Sequence, residues 1–258
     1  MLSRSGLTAM ASAAGLREPS VVLRSLDGTQ ELELDAQRLL YPASMIKTPL
    51  AAAALALAAA AKLKLEDAVA VREQNMTAND LPSALVPGYR ARIGELIDLM
   101  ITQSDNVATN VLIDVVERER ATALLHELGF PETAIRRKLS GSDPLIDDPG
   151  ASGRNTHPAR EAARLFDELA HERLPLSSIL LDALARQRWN TKLSRGLGPG
   201  DRFAHKTGDT SEVSHDGGIL TTASGRSYVL VVYTGMPSSD EVDACFAAFM
   251  RALRPHLE

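Results

Sequence analysis

The chain has 258 residues and a 45% hydrophobic content, enough for one large domain or two modest ones around a real core. A formal net charge of −5 and a pI near 5.7, with no Lys/Arg block, exclude a nucleic-acid footprint and direct attention to small-molecule or peptide chemistry. The one cysteine, Cys245, excludes an internal disulfide, and the six histidines fall in no metal-ligand spacing, so neither metal nor cofactor is expected.

Residues 1–16 are interrupted by Ser, Thr and Gly, which reads as a short amphipathic helix and not as a secretory leader. The longest apolar run, residues 49–61, falls short of the roughly 20 residues that cross a bilayer. As written, the chain reads as cytoplasmic with no membrane partner; a leader ahead of it would make it secreted or periplasmic. Ser20–Ser25 is rich in β-branched residues and ends at Asp27-Gly28, a hairpin signal, and Glu31–Leu34 alternates polar with apolar. Two antiparallel strands are predicted.

Residues 41–50 read YPASMIKTPL and lead into an alanine-rich run. Residues 48–62 are apolar on every side, which in a water-soluble fold means a helix buried at the centre of a domain. Pro49 is tolerated only in a first turn, so this helix must begin near Ser44. Ser44 and Lys47 then share a face at i, i+3, a nucleophile beside its base, and the positive end of the helix favours an alkoxide at Ser44.

A second helix is predicted from Ile93, Leu96, Ile97, Met100 and Ile101, and a third from Val107, Val111, Leu112 and Val115, with Ser104-Asp105-Asn106 in the turn between them. Residues 140–158 lack periodicity and are crowded with Gly, Pro, Ser and Asp, a long and therefore functional loop. A further helix buries Ala162, Leu165, Phe166 and Leu169. Strands follow at 203–208, 218–222 and Ser227–Thr234, the last two joined by a hairpin at 223–226. An amphipathic helix, Asp240–Leu253, closes the chain, burying Val242, Cys245, Phe246, Phe249, Met250 and Leu253. Strands at both ends with helices between them imply an α+β fold. Its single sheet is built from residues 1–40 and 200–258, and residues 41–199 are all-helical.

Three motifs carry chemistry. Ser44-x-x-Lys47 alone is weak, but it is followed in order by Ser104-Asp105-Asn106 and by Lys206-Thr207-Gly208, each much rarer. Together they resemble the class A β-lactamases and related penicillin-recognising serine hydrolases. The flanks agree: residues 92–97 (RIGELI) and 100–106 (MITQSDN), then Asn110, Leu128-Gly129-Phe130 and Asn155-Thr156. The resemblance implies a five-stranded antiparallel sheet flanked by the N- and C-terminal helices, packed against a helical domain, with the active site in the cleft between them.

By the same resemblance Ser44 is the acylated nucleophile, activated by a desolvated Lys47. Ser104 relays a proton to the leaving group, and Asn106 holds the substrate amide. Lys206 and Thr207 meet the substrate carboxylate, Gly208 lets substrate approach the strand, and the backbone N–H groups of Ser44 and Asp209 form the oxyanion hole. Each residue also has a plainer reading. Lys47 is then a helix-surface cation, the Ser-Asp-Asn triplet a helix cap, and Lys206 an edge-strand guard against aggregation.

Two departures bear on function. Class A enzymes hydrolyse the acyl-enzyme with a loop glutamate, and residues 140–158 contain none. Asp143, Asp147 and Asp148 are candidate substitutes, but aspartates on such a loop are more often turn-formers. Asp209, next to the Lys-Thr-Gly motif, is placed to repel a substrate carboxylate. The expectation is a serine acyl-hydrolase that forms a Ser44 acyl-enzyme with a β-lactam, amide or ester, from a small-molecule or peptide-like substrate, and releases it slowly. The alternatives are an efficient class A β-lactamase using a loop aspartate, and a non-catalytic ligand-binding or sensor protein.

Overall fold

A computed structural model describes residues 2–257; Met1 and Glu258, the ends of the expected terminal segments, lie outside the described residues. Five strands form one antiparallel sheet in the order β2-β1-β7-β6-β5: β1 is Ser20–Ser25, β2 Glu31–Leu34, β5 Arg202–Asp209, β6 Ser214–Thr221 and β7 Ser227–Thr234. Val22 lies opposite Val231, and Leu23 opposite Leu230, so the N-terminal hairpin joins the C-terminal one through β1 and β7. The period of two sends alternate residues to two apolar faces.

One face carries Val21, Leu23, Leu230 and Val232 and is covered by α1 (Arg4–Ala13) and α8 (Asp240–Leu253), the latter through Phe246, Phe249, Met250 and Leu253. The other face carries Val22, Val229, Val231 and Tyr233, which belong to the same apolar cluster as the central helices. Those are α2 (Lys47–Ala59), α3 (Ile93–Thr102), α4 (Asn106–Val116), α5 (Arg118–Glu127), α6 (Ala159–Ala170) and α7 (Ser177–Ala185). Residues Lys47 to Leu55 of α2 are all buried, as its all-round apolar character requires. Among the described residues no helix is long and apolar enough to cross a membrane.

Two expectations need correction. The segment 41–199 is not purely helical: β3 (Ala68–Ala70) and β4 (Arg90–Arg92) form a two-stranded antiparallel ribbon, each strand too short to show a period. Strand β6 begins at Ser214, before the residues expected, because the buried polar residues Ser214, His215 and Asp216 pair with β5 on one side and β7 on the other, where an apolar pattern gives no sign of a strand. A Cβ on Gly218 would come within 2.1 Å of the Ala204 carbonyl oxygen on β5, so the close approach of these strands demands glycine there. Residues 140–158 form the expected irregular loop, closed at its base by a bridge between Ala134 and Thr156.

Candidate active site

The turn that carries Ser44 is a short 3-10 segment, Ala43–Ile46, that runs directly into α2. Ala43 has φ +47°, a left-handed conformation that costs an alanine energy and marks a locally constrained backbone. Two contacts hold the turn against the sheet. His215 on β6 donates from Nε2 to the Tyr41 carbonyl at 2.8 Å, and its ring stacks on Tyr233 at 4.1 Å. Burial pushes the His215 imidazole down to about 4, so it is neutral. The second contact is at Gly208 of β5, where a Cβ would lie 3.0 Å from the Pro42 carbonyl oxygen and 3.2 Å from the Met45 nitrogen. Gly208 thus admits the Ser44 turn itself to the strand edge, a requirement separate from any made by substrate.

Lys47 is the first residue of α2 and is fully buried. Its Nζ donates to the Ser104 carbonyl (2.5 Å), to Ser104 Oγ (3.0 Å) and to Asn106 Oδ1 (2.7 Å). An ammonium has three donors, and all three go to the Ser-Asp-Asn turn, none to Ser44. Burial first, and then the Lys206 charge, hold the Lys47 amine well below the usual lysine range. A neutral amine also fits the site: two N–H groups serve Ser104 O and Asn106 Oδ1, and the lone pair accepts from the Ser104 hydroxyl.

The triplet divides its labour. Ser104 sits at φ +60° and directs its hydroxyl at the lysines. Asp105 is the cap of α4, accepting from the Ala108 N–H at 2.8 Å. Asn106 donates from Nδ2 to the Ala78 carbonyl (2.9 Å), and its own N–H reaches Asn79 Oδ1 (2.6 Å). Capping and the contacts to the lysines therefore fall to different residues of one motif.

Lys206, buried on edge strand β5, donates to Ser104 Oγ at 3.1 Å and to the Thr207 carbonyl at 2.9 Å. Burial lowers it to about 7, against the opposing pull of Asp209 and Asp216. The Asp209 side chain is held by Lys192 Nζ (2.7 Å) and Ser214 Oγ (2.9 Å). The Asp209 carboxylate expected to repel a substrate carboxylate thus has a counter-ion in Lys192, a residue outside the three motifs.

Of the loop aspartates, Asp148 is committed: it pairs with Arg118 and accepts from the Lys138 N–H at 2.8 Å, with its side chain 4% exposed. Asp143 and Asp147 are exposed. Two supporting segments were not legible in the motifs. Residues 77–80 line the site through Ala78 and Asn79, and Asp80 acts electrostatically on both Lys47 and Lys206. Gln187 and Trp189 tie the Ser104 turn to β5: Gln187 Nε2 reaches the Ile101 and His205 carbonyls at 3.0 and 3.3 Å, and Trp189 Nε1 reaches that of Gln103 at 3.0 Å. Among the described residues no group of His, Cys, Asp and Glu is arranged to hold a metal ion.

This fold, with a serine at a helix start and two buried lysines meeting at a second serine, defines a serine acyl-hydrolase acting on amide or ester bonds. A profile of the β-lactamase enzyme family matches residues 3–255, and the chain belongs to that family. It is similar to the β-lactamase of Sphaerobacter thermophilus at 25% identity, covering 98% of this chain and 97% of that one with a TM-score of 0.83. The ancestral class A β-lactamase GNCA matches at 25% identity, 98% and 99% coverage and TM-score 0.83. A point mutant of PBP-A, solved as an acyl-enzyme complex with penicillin G, shares the fold at 24% identity, 97% and 95% coverage and TM-score 0.84. No functionally curated protein matches the chain.

Proposed function

We propose that Ser44 forms an acyl-enzyme with a β-lactam, amide or ester, and that this intermediate is hydrolysed slowly. The observation that carries the reading is the Ser104 hydroxyl held between two buried lysines, Lys47 and Lys206. Neutral Lys47, turning its lone pair from Ser104 to Ser44, takes the Ser44 proton as Oγ attacks the carbonyl carbon, and the oxyanion settles against the N–H groups of Ser44 and Asp209. The proton then passes from Lys47 through Ser104 to the leaving nitrogen or oxygen, and the C–N or C–O bond breaks. Lys206 and Thr207 face the substrate carboxylate, while Asn106 holds its amide.

Slow release is supported by the loop. It has no glutamate, Asp148 is paired with Arg118, and Asp143 and Asp147 are exposed. The acyl-enzyme complex of the PBP-A mutant with penicillin G supports acylation by a penicillin. A pure binder has no use for an amine desolvated beside a nucleophile, which disfavours the sensor reading.

Intact-protein mass spectrometry after incubation with a penicillin tests the proposal. The expected result is an adduct on Ser44 that persists from minutes to hours and is absent in Ser44→Ala. Failure of both a penicillin and a reactive ester to label the wild type would overturn it.

A further inference from the structure

Asp209 follows the Lys206-Thr207-Gly208 motif directly, and its side chain is 34% exposed, whereas that of Lys192 is only 3% exposed. Lys192 Nζ lies 2.7 Å from Asp209 Oδ2 at the end of β5 and 3.1 Å from Asp243 Oδ1 in the first turn of α8. The residue itself stands just ahead of a 3-10 turn, Leu193–Gly196, so one ammonium joins three elements. Ser214 Oγ fixes the other Asp209 oxygen at 2.9 Å. Burial works to lower the Lys192 ammonium, but Asp209 and Asp243 outweigh it and raise it above the usual lysine value, so it stays charged. Of the charged neighbours of Lys206, Asp209 acts on it most strongly, and Asp216, itself paired with His205 at 2.7 Å, acts next.

We propose that Lys192 is a specificity-determining positioning residue: by holding and neutralising the Asp209 carboxylate, it keeps the Lys206 end of the site open to substrates that carry a carboxylate. A buried cation with two carboxylates is a costly arrangement unless each member is paired. Here the pairing places the exposed carboxylate of Asp209, the one that acts most strongly on Lys206, under a counter-ion. Without Lys192, an unpaired charge on Asp209 would face an anionic substrate and weaken its capture roughly ten- to a hundredfold.

This inference rests on the proposed acyl transfer, and the test separates the two. Second-order acylation rates are measured for Lys192→Met with a penicillin, which carries a carboxylate, and with a neutral aryl ester. The penicillin rate should fall tenfold or more and the ester rate less than threefold, and adding Asp209→Asn to Lys192→Met should restore the penicillin rate. Equal losses on both substrates, no loss, or no restoration would overturn the role. Should Lys192→Met not fold, Asp209→Asn alone decides: with the held charge gone the penicillin-to-ester ratio should be unchanged or raised, and a fall in that ratio would overturn the proposal. A wild type that reacts with neither substrate would sink the acyl-transfer reading instead.

Discussion

Lys47 and Lys206 both reach the same oxygen, the hydroxyl of Ser104, at 3.0 and 3.1 Å. Two fully charged ammonium groups converging there would repel each other strongly in a buried site. Burial lowers both lysines, and the charge on Lys206 depresses Lys47 further. One consistent arrangement is a charged Lys206 donating to Ser104, whose proton points to the lone pair of a neutral Lys47. That array is the proton path that the proposed acyl transfer requires.

The pH dependence of acylation should report this coupling. The rate rises as Lys47 loses its proton, and Lys206→Met, by removing the neighbouring charge, should move that rising limb toward higher pH. A falling limb near pH 7 is expected for a penicillin, as Lys206 deprotonates with a pKa of about 7 and its hold on the carboxylate weakens. A neutral ester should lack the falling limb. Stopped-flow acylation rates between pH 5 and 10, at about half-unit steps, distinguish these profiles.

The same lysine should mark the stability curve. Between about pH 7 and 10.5 Lys206 is deprotonated in the folded protein but protonated in the unfolded chain. The unfolded state then binds more protons, so stability must rise with pH across this window and level off outside it. Denaturant melts of wild type and Lys206→Met should diverge there, by up to a few kcal/mol. Parallel curves would show that Lys206 is not desolvated in solution.

His215 holds the turn that carries Ser44. Its Nε2 donor to the Tyr41 carbonyl is a sheet-to-turn link three residues ahead of Ser44. His215→Ala should cost about 1 to 3 kcal/mol of stability, through a lost hydrogen bond and a lost ring stack. It should also slow acylation of penicillin and ester alike, because the turn carrying Ser44 loses an anchor. Loss of stability with unchanged acylation rates would confine His215 to the core.

Much of this was legible in the sequence because it is local or periodic. Pro49 fixed where α2 could start, the apolar spacing from Ile93 to Ile101 placed the turn bearing Ser104, and the apolar run within Ser227–Thr234 announced a strand. Lys192, Asn79, Gln187 and Trp189 were not legible. They come from segments without a period, and their roles arise from contacts far along the chain, as with Lys192 and Asp243. Gly208 was visible, but its demand comes from Pro42 and Met45, whose approach only the folded chain defines.

The start of the long loop is where a deacylating base should be missed most. Asn110, buried on α4, grips Leu139 from both sides: Oδ1 accepts from the Leu139 N–H at 2.8 Å, and Nδ2 donates to its carbonyl at 2.9 Å. Two residues on, a Cβ added to Gly141 would lie 3.0 Å from Asn106 Nδ2, and Asn106 is itself an acceptor for Lys47. The chain therefore passes from Leu139 to the edge of the site with an apolar side chain, 5% exposed, at the clamped position. Leu139→Glu would supply a carboxylate there, at a cost of about 2 to 5 kcal/mol for burying it. The expected outcome is an acyl-enzyme lifetime shortened at least tenfold, with Leu139→Gln leaving it long. Time-resolved mass spectrometry of the Ser44 adduct measures this. Equal lifetimes in the two variants, with acylation intact, would show that the missing base belongs elsewhere.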